Sequence, residues 1–197
     1  MTKILAFSGR KQSGKSTGAE FVIDLLNQHS PHLLCKIYNF ADPLKKDICM
    51  NILGMTYDQC YGSDMDKNTP TDLVWNGEQL TARRAMEVIG TDIFRQLYGN
   101  VWVRATILKI QKEKPDIAII PDCRFPNEVD IILQNDGYVI RLSRDLFNSQ
   151  SNSERALDQD KYDWSNFSYI INNNDMTDTD KNKEIRTFLN SKGLVSL

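Results

Sequence analysis

A loop near the start of the chain combines glycines, a lysine and two hydroxyl side chains in a fixed order. Residues 9–17, with the sequence GRKQSGKST, fit the pattern G-x-x-x-x-G-K-[ST]. In such a loop successive backbone N–H groups point into one small volume, and the following helix adds the positive end of its dipole. Lys15 would carry a positive charge to the terminal phosphates, and the Ser16 hydroxyl would ligate a magnesium ion that bridges them.

This loop is therefore predicted to bind ATP with Mg²⁺. The alternative is a glycine-rich turn between a strand and a helix that binds nothing. The predicted ATP-binding residues of the loop are Gly9, Arg10, Lys11, Gln12, Ser13, Gly14, Lys15, Ser16 and Thr17.

An aspartate and a set of arginines could supply the remaining charges for phosphate chemistry. Asp122 follows a short apolar run and is predicted to be the acidic partner of magnesium, because parallel sheets gather ligand sites at the carboxyl ends of their strands. A helix or turn cap is its alternative role. Guanidinium groups match phosphate oxygens bidentately, although a solvated surface position is the alternative for any one of them. The arginines beside predicted helix starts and strand ends are Arg83, Arg84, Arg95, Arg124, Arg141 and Arg144.

The elements that must position these residues alternate between strands and helices. Residues 3–8 are an apolar run that ends at Gly9, and residues 16–28 repeat apolar side chains at helical spacing. The phosphate-binding pattern thus lies between a predicted strand and a predicted helix. Such alternation favours a parallel sheet covered by helices on both faces. Further helices are predicted over 100–114, 126–135 and 178–192, and further strands over 117–120, 138–142 and 168–171. Residues 33–41 are a second apolar stretch.

The segment between these elements is predicted to form an inserted lobe. Asp42 and Pro43 predict the start of a helix, and Gly90 is predicted to interrupt a helix that begins near Thr81. Residues 56–80 are polar and contain two glycines and a proline, which predicts a surface excursion.

Composition excludes several classes of protein. The 197 residues carry 24 Lys+Arg against 26 Asp+Glu, and this balance argues against a protein whose main role is to bind a nucleic-acid polymer. No apolar run approaches the length of a membrane span, so no membrane partner is expected. The four scattered cysteines favour free thiols rather than zinc or disulfides. The start of the chain is not typical of a signal peptide, and a cytoplasmic location is predicted.

Several segments together resemble the deoxynucleoside monophosphate kinases of tailed bacteriophages, a branch of the nucleoside monophosphate kinase-like P-loop proteins. The resemblance implies an α/β P-loop NTPase fold of three layers that transfers the γ-phosphoryl of ATP to a deoxynucleoside 5′-monophosphate. It implies one domain over 1–197, with a core of 1–42 and 100–197, a monophosphate-binding insertion of about 43–99 and a lid of about 144–163. The matching segments, beyond the loop, are 40–45, 83–84, 90–92, 102–103, 121–124, 127–128, 139–142, 153–154 and 170–172.

The resemblance also implies roles for single residues. Lys15, Asp122 and Arg144 would be catalytic, Ser16 and Asp122 would hold Mg²⁺, and Arg141 would bind ATP. Relatives often carry a histidine where this chain has Ser151, which departs from the pattern of the lid. Trp102 would line the substrate pocket, with a place in the core as its alternative. The residues assigned to the acceptor are Phe40, Asp42, Lys45, Arg84, Arg95, Trp102, Arg124 and Glu154.

Other functions stay open at this point. A P-loop kinase for another small phosphate ester, such as phosphomevalonate or dephospho-coenzyme A, would carry a similar loop. A nucleotide-binding switch and a subunit that processes nucleic-acid ends are further alternatives, but a switch needs two nucleotide-sensing loops and a polymer binder needs a basic track. The accepted base and the choice between monomer and homodimer are not determined by the sequence.

Overall fold

The computed structural model describes residues 2–146 and 152–195, which form two compact units. The core unit comprises Met1–Asn39 and Ile107–Leu197, and the inserted unit comprises Phe40–Thr106. The strands are β1 (Lys3–Ser8), β2 (Cys35–Ile37), β3 (Pro70–Trp75), β4 (Glu78–Thr81), β5 (Ile117–Cys123), β6 (Tyr138–Leu142) and β7 (Tyr169–Ile171). The α-helices are α1 (Lys15–His29), α2 (Tyr57–Tyr61), α3 (Asp64–Lys67), α4 (Ala82–Glu87), α5 (Val101–Glu113), α6 (Pro126–Gln134), α7 (Asn152–Arg155) and α8 (Asp178–Ser191).

A parallel sheet with the strand order β2-β5-β1-β6-β7 organises the described part of the core unit. Its central strand β1 is apolar and almost wholly buried, as expected for a parallel strand with helices on both faces. Leu5 and Phe7 pack in one cluster with α1 and α8, whereas the buried side chains of α6, which packs against β1 and β6, are outside that cluster. The predicted α/β class is confirmed.

The register of the sheet brings three chain segments to one edge. Ser8, the last residue of β1, pairs with Cys123 of β5 and with Arg141 of β6. The phosphate-binding pattern begins directly after Ser8, so it lies between the carboxyl ends of its two neighbouring strands. Ligand sites of parallel sheets form at this edge.

The inserted unit contains more regular structure than its polar sequence predicted. Residues 56–80, predicted as a surface excursion, are mostly exposed but include α2, α3 and most of a β3–β4 hairpin, which were not predicted. The hairpin turns at Asn76 and Gly77, which have φ of 52° and 83°. Positive φ at both turn residues is the geometry that an Asn-Gly pair favours between two strands.

Two segments of this unit form π-helical turns, Pro43–Met50 and Val88–Arg95. The predicted interruption at Gly90 does not occur, because the helical path continues from α4 through this residue. A Cβ at Gly90 would lie only 2.6 Å from Leu44 Cδ2, so the glycine allows the Leu44 side chain to approach this closely. The unit has its own apolar core: Cys49, Met55, Cys60, Leu80, Ala82, Ala85 and Val88.

The start of α6 is fixed by a buried carboxylate. Glu128, which is 1% exposed, accepts hydrogen bonds from the backbone N–H groups of Arg124 at 2.6 Å and Phe125 at 3.1 Å. These amides directly precede the helix. This carboxylate therefore also fixes the backbone that carries the Arg124 side chain.

Replacing Glu128 by alanine should lower the free energy of unfolding by about 2–4 kcal/mol, because charge-assisted hydrogen bonds are lost and a cavity is left. Urea denaturation measures this change. Asp130→Ala removes an exposed carboxylate from the same helix and should change the free energy by less than about 0.5 kcal/mol. Equal effects of the two substitutions would contradict a capping role for Glu128.

Candidate active site

The segment between β1 and α1 has the backbone of a phosphate-binding loop. Gly14 adopts φ 97° and ψ 18°, a conformation that favours glycine, and α1 begins at the next residue. At Gly9, an added Cβ would lie 2.3 Å from Ser13 Oγ and 2.9 Å from the carbonyl oxygen of Leu142, so the loop closes tightly on itself and on β6. The N-terminal amides of α1 consequently face the carboxyl edge of the sheet, where an anion would benefit from the helix dipole.

A cleft of about 470 Å³ opens at this edge. Nine residues predicted from sequence to bind ATP, magnesium or the acceptor line it, and all belong to the core unit: Lys11, Gln12, Gly14, Lys15, Ser16, Thr17, Asp122, Arg124 and Arg144. The other lining residues are Asn39, Pro121 and Asp178.

A cleft of about 510 Å³ at the opposite edge of the sheet is larger but chemically less suited to phosphates. Ile4, Ile107 and Ile110 form part of its lining, and its charged lining residues are Lys114, Asp116 and Asp136. Carboxylates outnumber cations there, whereas four of the six charged residues around the first cleft are cations: Lys11, Lys15, Arg124 and Arg144.

Lys15 is held in the loop by backbone carbonyls. Its Nζ donates to Gly9 O at 2.7 Å and to Arg10 O at 2.6 Å, and the residue is 8% exposed. The pKa of Lys15 is lowered from 10.5 to about 8, chiefly by burial and then by the positive charge of Arg124, against an opposing contribution from Glu154. An anion in the cleft would favour the charged form of Lys15 and raise this pKa again.

Glu154, predicted to bind the acceptor, contacts the phosphate loop. Its carboxylate accepts hydrogen bonds from the backbone N–H of Lys11 and from Arg124 Nη1. The side chain is 8% exposed and makes an ion pair with Arg124. Two predicted residues, Arg124 and Glu154, are thus brought together beside the loop.

The side chain of Arg10 points to a second group of charges. It makes a bidentate pair with Asp158, at 3.1 and 2.6 Å, and a further ion pair with Asp145 at 2.6 Å. Arg141 lies near the same Asp158 carboxylate at 4.0 Å and donates to Ser8 Oγ at 3.0 Å. Burial lowers the pKa of Arg141. Asp158 also pairs with Arg155 at 3.4 Å, three positions away. It was not identified from sequence, because Arg10 and Arg141 are far from it along the chain.

Arg144, predicted to be catalytic, borders the cleft and also binds the loop that follows β7. Its Nε donates to Asn173 O at 2.9 Å and its Nη2 donates to Met176 O at 2.6 Å. Asn173 is fully buried, and its amide accepts from Arg144 N at 3.0 Å and donates to Ser13 O at 2.8 Å. This asparagine links the phosphate loop to Arg144, and sequence reasoning missed it; the available signal was the run of asparagines that follows the predicted strand over 168–171.

Other predicted acceptor-binding residues lie in the inserted unit. Asp42 accepts from Tyr61 Oη at 2.7 Å and pairs with Lys46 at 2.8 Å, while Lys45 Nζ lies 4.5 Å from the centre of the Tyr61 ring. Trp102 is 5% exposed and donates its indole N–H to Gly90 O at 3.0 Å.

The remaining members of that set differ in exposure. Phe40 is buried and Arg95 is half-buried. Arg84 is exposed and pairs with Glu87 at 3.4 Å and Asp92 at 3.2 Å. Ser151 lies outside the described residues.

Two groups in the cleft have the chemistry that magnesium prefers. Mg²⁺ keeps several waters and is held by one or two carboxylates together with phosphate oxygens, so it needs no cage of protein ligands. Ser16 offers an exposed hydroxyl at the start of α1, and Asp122 offers a half-buried carboxylate next to the end of β5. These oxygen donors fit a magnesium ion that also binds a triphosphate.

Comparison with known proteins gives consistent matches. A sequence model of the family described as deoxynucleotide monophosphate kinase matches residues 57–183. A protein of Acanthamoeba polyphaga mimivirus described as a deoxynucleotide monophosphate kinase is 31% identical over 156 residues, covering 72% of this chain and 74% of that protein. The deoxynucleoside-5′-monophosphate kinase of Escherichia phage T5 is 26% identical over 181 residues, covering 67% and 72%. A solved Mycobacterium tuberculosis APS kinase matches at 12% identity with a TM-score of 0.43, over 96% of this chain and 98% of that one.

Proposed function

Because the chain belongs to the deoxynucleotide monophosphate kinase family, we propose that it transfers the γ-phosphoryl group of ATP to the 5′-phosphate of a deoxynucleoside monophosphate. The products are ADP and the deoxynucleoside diphosphate. The observation that carries this proposal is the cleft in which the phosphate loop meets Asp122 and Arg124. A single phosphate loop is compatible with many functions, but a loop with these charges in a chain of this family supports phosphoryl transfer.

The residues of the cleft have different roles in this reaction. The loop amides and the N-terminus of α1 bind the phosphates of ATP, and Lys15 adds a positive charge beside them. Ser16 and Asp122 would hold Mg²⁺, which supplies charge neutralisation of the β- and γ-phosphates. Arg124 and Arg144 border the cleft and would stabilise the charge that spreads over the transferred group.

The acceptor needs no general base in this scheme. An oxygen of its phosphate is already anionic and forms the new bond to the γ-phosphorus as the bond to the ADP oxygen breaks. Positioning and electrostatic stabilisation are therefore what the protein must supply. We assign acceptor binding to the inserted unit, with Asp42, Lys45, Arg84 and Arg95 as its candidate polar contacts.

A panel of acceptors tests this proposal in a coupled assay for ADP. Addition of one or more deoxynucleoside monophosphates, natural or phage-modified, should raise ADP production well above the rate with ATP alone. Phosphomevalonate, dephospho-coenzyme A and a 5′-hydroxyl oligonucleotide serve as comparison acceptors. Stimulation by one of these and by no deoxynucleotide would contradict the proposal.

ATP binding should take up protons at pH 8.5. The pKa of Lys15 is lowered to about 8, so most of this amine is neutral at pH 8.5 without ligand. Bound phosphates raise that pKa again, so uptake of about 0.7 proton per ATP is expected. Affinity should therefore fall as the pH rises above 8. Calorimetry in two buffers of different ionisation enthalpy measures the uptake, and Lys15→Met should abolish it; uptake that persists in this variant would exclude Lys15 as its source.

A further inference from the structure

A second lysine of the core unit lies against the phosphate loop, although sequence reasoning gave it no role. Lys181 belongs to α8 and is 1% exposed. Its Nζ donates to Thr17 Oγ1 and to Asp178 Oδ1, both at 2.7 Å. A Cβ on Gly14 would lie 3.1 Å from this Nζ, so the ammonium lies close to the loop backbone as well.

The residues around Lys181 connect it to the cleft. Gly14, Thr17 and Asp178 all line the cleft, and Thr17 is exposed there. The Thr17 hydroxyl donates to Gly14 O at 3.0 Å while it accepts from Lys181. The ammonium thereby fixes the orientation of a hydroxyl in the first turn of α1. This turn belongs to the part of such loops that binds the α- and β-phosphates, whereas the loop lysine serves the β- and γ-phosphates.

Stability alone is a poor explanation for a charge in this position. A buried cation loses its hydration, and removal of one member of an ion pair is strongly destabilising only when it leaves the other charge buried. The carboxylate partner, Asp178, is 67% exposed in its side chain, so it would be solvated if Lys181 were removed. The hydrogen bond from Lys181 and its positive charge lower the pKa of Asp178, which shows that the pair is electrostatically coupled.

We infer that Lys181 is a positioning residue for the nucleotide, which orients the Thr17 hydroxyl at the start of α1 and adds positive charge beside the bound triphosphate. This inference rests on the proposed function, because it assigns Lys181 to the same ATP site. Lys15 and Lys181 then act on the phosphates from two sides of the loop. Removal of Lys181 should weaken ATP binding without affecting the stability of the fold.

Calorimetric titration with Mg·AMPPNP, without acceptor, tests this inference. Lys181→Met should bind about tenfold more weakly than the wild type, the size expected for one charge-assisted contact. Its Tm should be equal to that of the wild type or higher. Lys183→Met is the matched control, because Lys183 lies on the same helix, is 73% exposed in its side chain and pairs with Asp180 at 3.4 Å. This control should bind within about twofold of the wild type.

A double-mutant cycle separates action through Thr17 from a general effect on the fold. Thr17→Val removes the hydroxyl that receives the Lys181 hydrogen bond, so adding Lys181→Met to it should cost less affinity than Lys181→Met costs alone. In steady-state kinetics, Lys181→Met should raise KM for ATP while kcat and KM for the acceptor stay within about threefold. If Lys181 only held α8 against α1, its replacement would lower the Tm and would not raise KM for ATP selectively.

Several results would overturn the inference. Wild-type affinity in Lys181→Met would do so, as would fully additive effects in the cycle. Should Lys181→Met fail to fold, Lys181→Gln replaces it in the titration, because glutamine can still donate a hydrogen bond but carries no charge. If Lys181→Gln then bound Mg·AMPPNP no more weakly than the wild type, the role of Lys181 would be refuted. If the wild type binds Mg·AMPPNP but phosphorylates no deoxynucleotide, the proposed function fails. The affinities of the wild type and of Lys181→Met for Mg·AMPPNP still test the role of Lys181 in that case. Absence of binding by the wild type would overturn both.

Discussion

Replacing Lys15 by methionine should lower kcat/KM for ATP by about 10³-fold or more, since the charge beside the transferred phosphoryl group is lost. Methionine keeps the length of the side chain but cannot donate to phosphate oxygens. The expected loss is larger than that for Lys181, because the loop lysine serves the β- and γ-phosphates, where the bond breaks. Steady-state kinetics with an accepted deoxynucleotide measures the effect.

The fold should survive this substitution. Lys15 is buried, and its lowered pKa shows that burial disfavours its charged form in the ligand-free protein. Methionine removes that cost, so the Tm at pH 7 should not fall. Lys109→Met, at an exposed position of α5, is the control and should retain wild-type kinetics. Activity of Lys15→Met within about tenfold of the wild type would contradict the assigned role.

Replacing Asp122 by asparagine should lower kcat by about 100-fold and raise the Mg²⁺ concentration needed for half-maximal activity. The amide keeps the shape of the side chain but loses the negative charge that would hold the metal and its waters. Asp122 is half-buried next to the carboxyl end of β5, so the substitution leaves the apolar part of the strand intact. A magnesium titration at saturating ATP measures both changes.

An exposed aspartate provides the control for this experiment. Asp24 lies on the surface of α1, and Asp24→Asn changes the net charge by the same amount. It should leave kcat and the magnesium dependence unchanged. If Asp122→Asn behaved in the same way, Asp122 would have no part in metal binding, and the alternative role of a structural carboxylate would stand.

Local sequence patterns were sufficient to predict the strand and the helix on either side of the phosphate loop. A continuous apolar run, a glycine and an amphipathic stretch are local signals, and they predicted β1 over residues 3–8 and a helix over 16–28. In the structure these elements are Lys3–Ser8 and Lys15–His29. Strand β6 was predicted with the same bounds that the structure gives, Tyr138–Leu142.

The inserted unit could not be predicted as well, because its helices are short and its polar content is high. Capping boxes at Thr56 and Ser63 start helices of only five and four residues, too short for helical periodicity to be visible in sequence. At Gly90, the low helix propensity of glycine suggested an interruption. The close approach of Leu44 decides that position instead, and such a contact is not evident from local sequence.

The residues that hold the site together depend on contacts between distant parts of the chain. Asn173 contacts Ser13 across 160 positions, and Lys181 contacts Thr17 across 164. Lys181 lies four positions before the buried Ile185, on the apolar face of α8, whereas Lys183 does not. A lysine on that face was not predicted to be buried, yet Lys181 is buried and Lys183 is exposed. Side chains with a direct motif role were predictable, whereas those that position them became visible only with the strand order and the helix packing.

The most direct measurement of phosphoryl transfer follows the phosphorus atoms themselves. In ³¹P NMR of the purified protein with Mg·ATP and an accepted deoxynucleoside monophosphate, the signals of ADP and of the deoxynucleoside diphosphate should grow in equal amounts while the γ-phosphate signal of ATP declines. Orthophosphate should not accumulate, and Lys15→Met should leave the spectrum unchanged over the same time. Release of orthophosphate in place of the diphosphate, or an unchanged spectrum with every deoxynucleotide offered, would contradict the assignment.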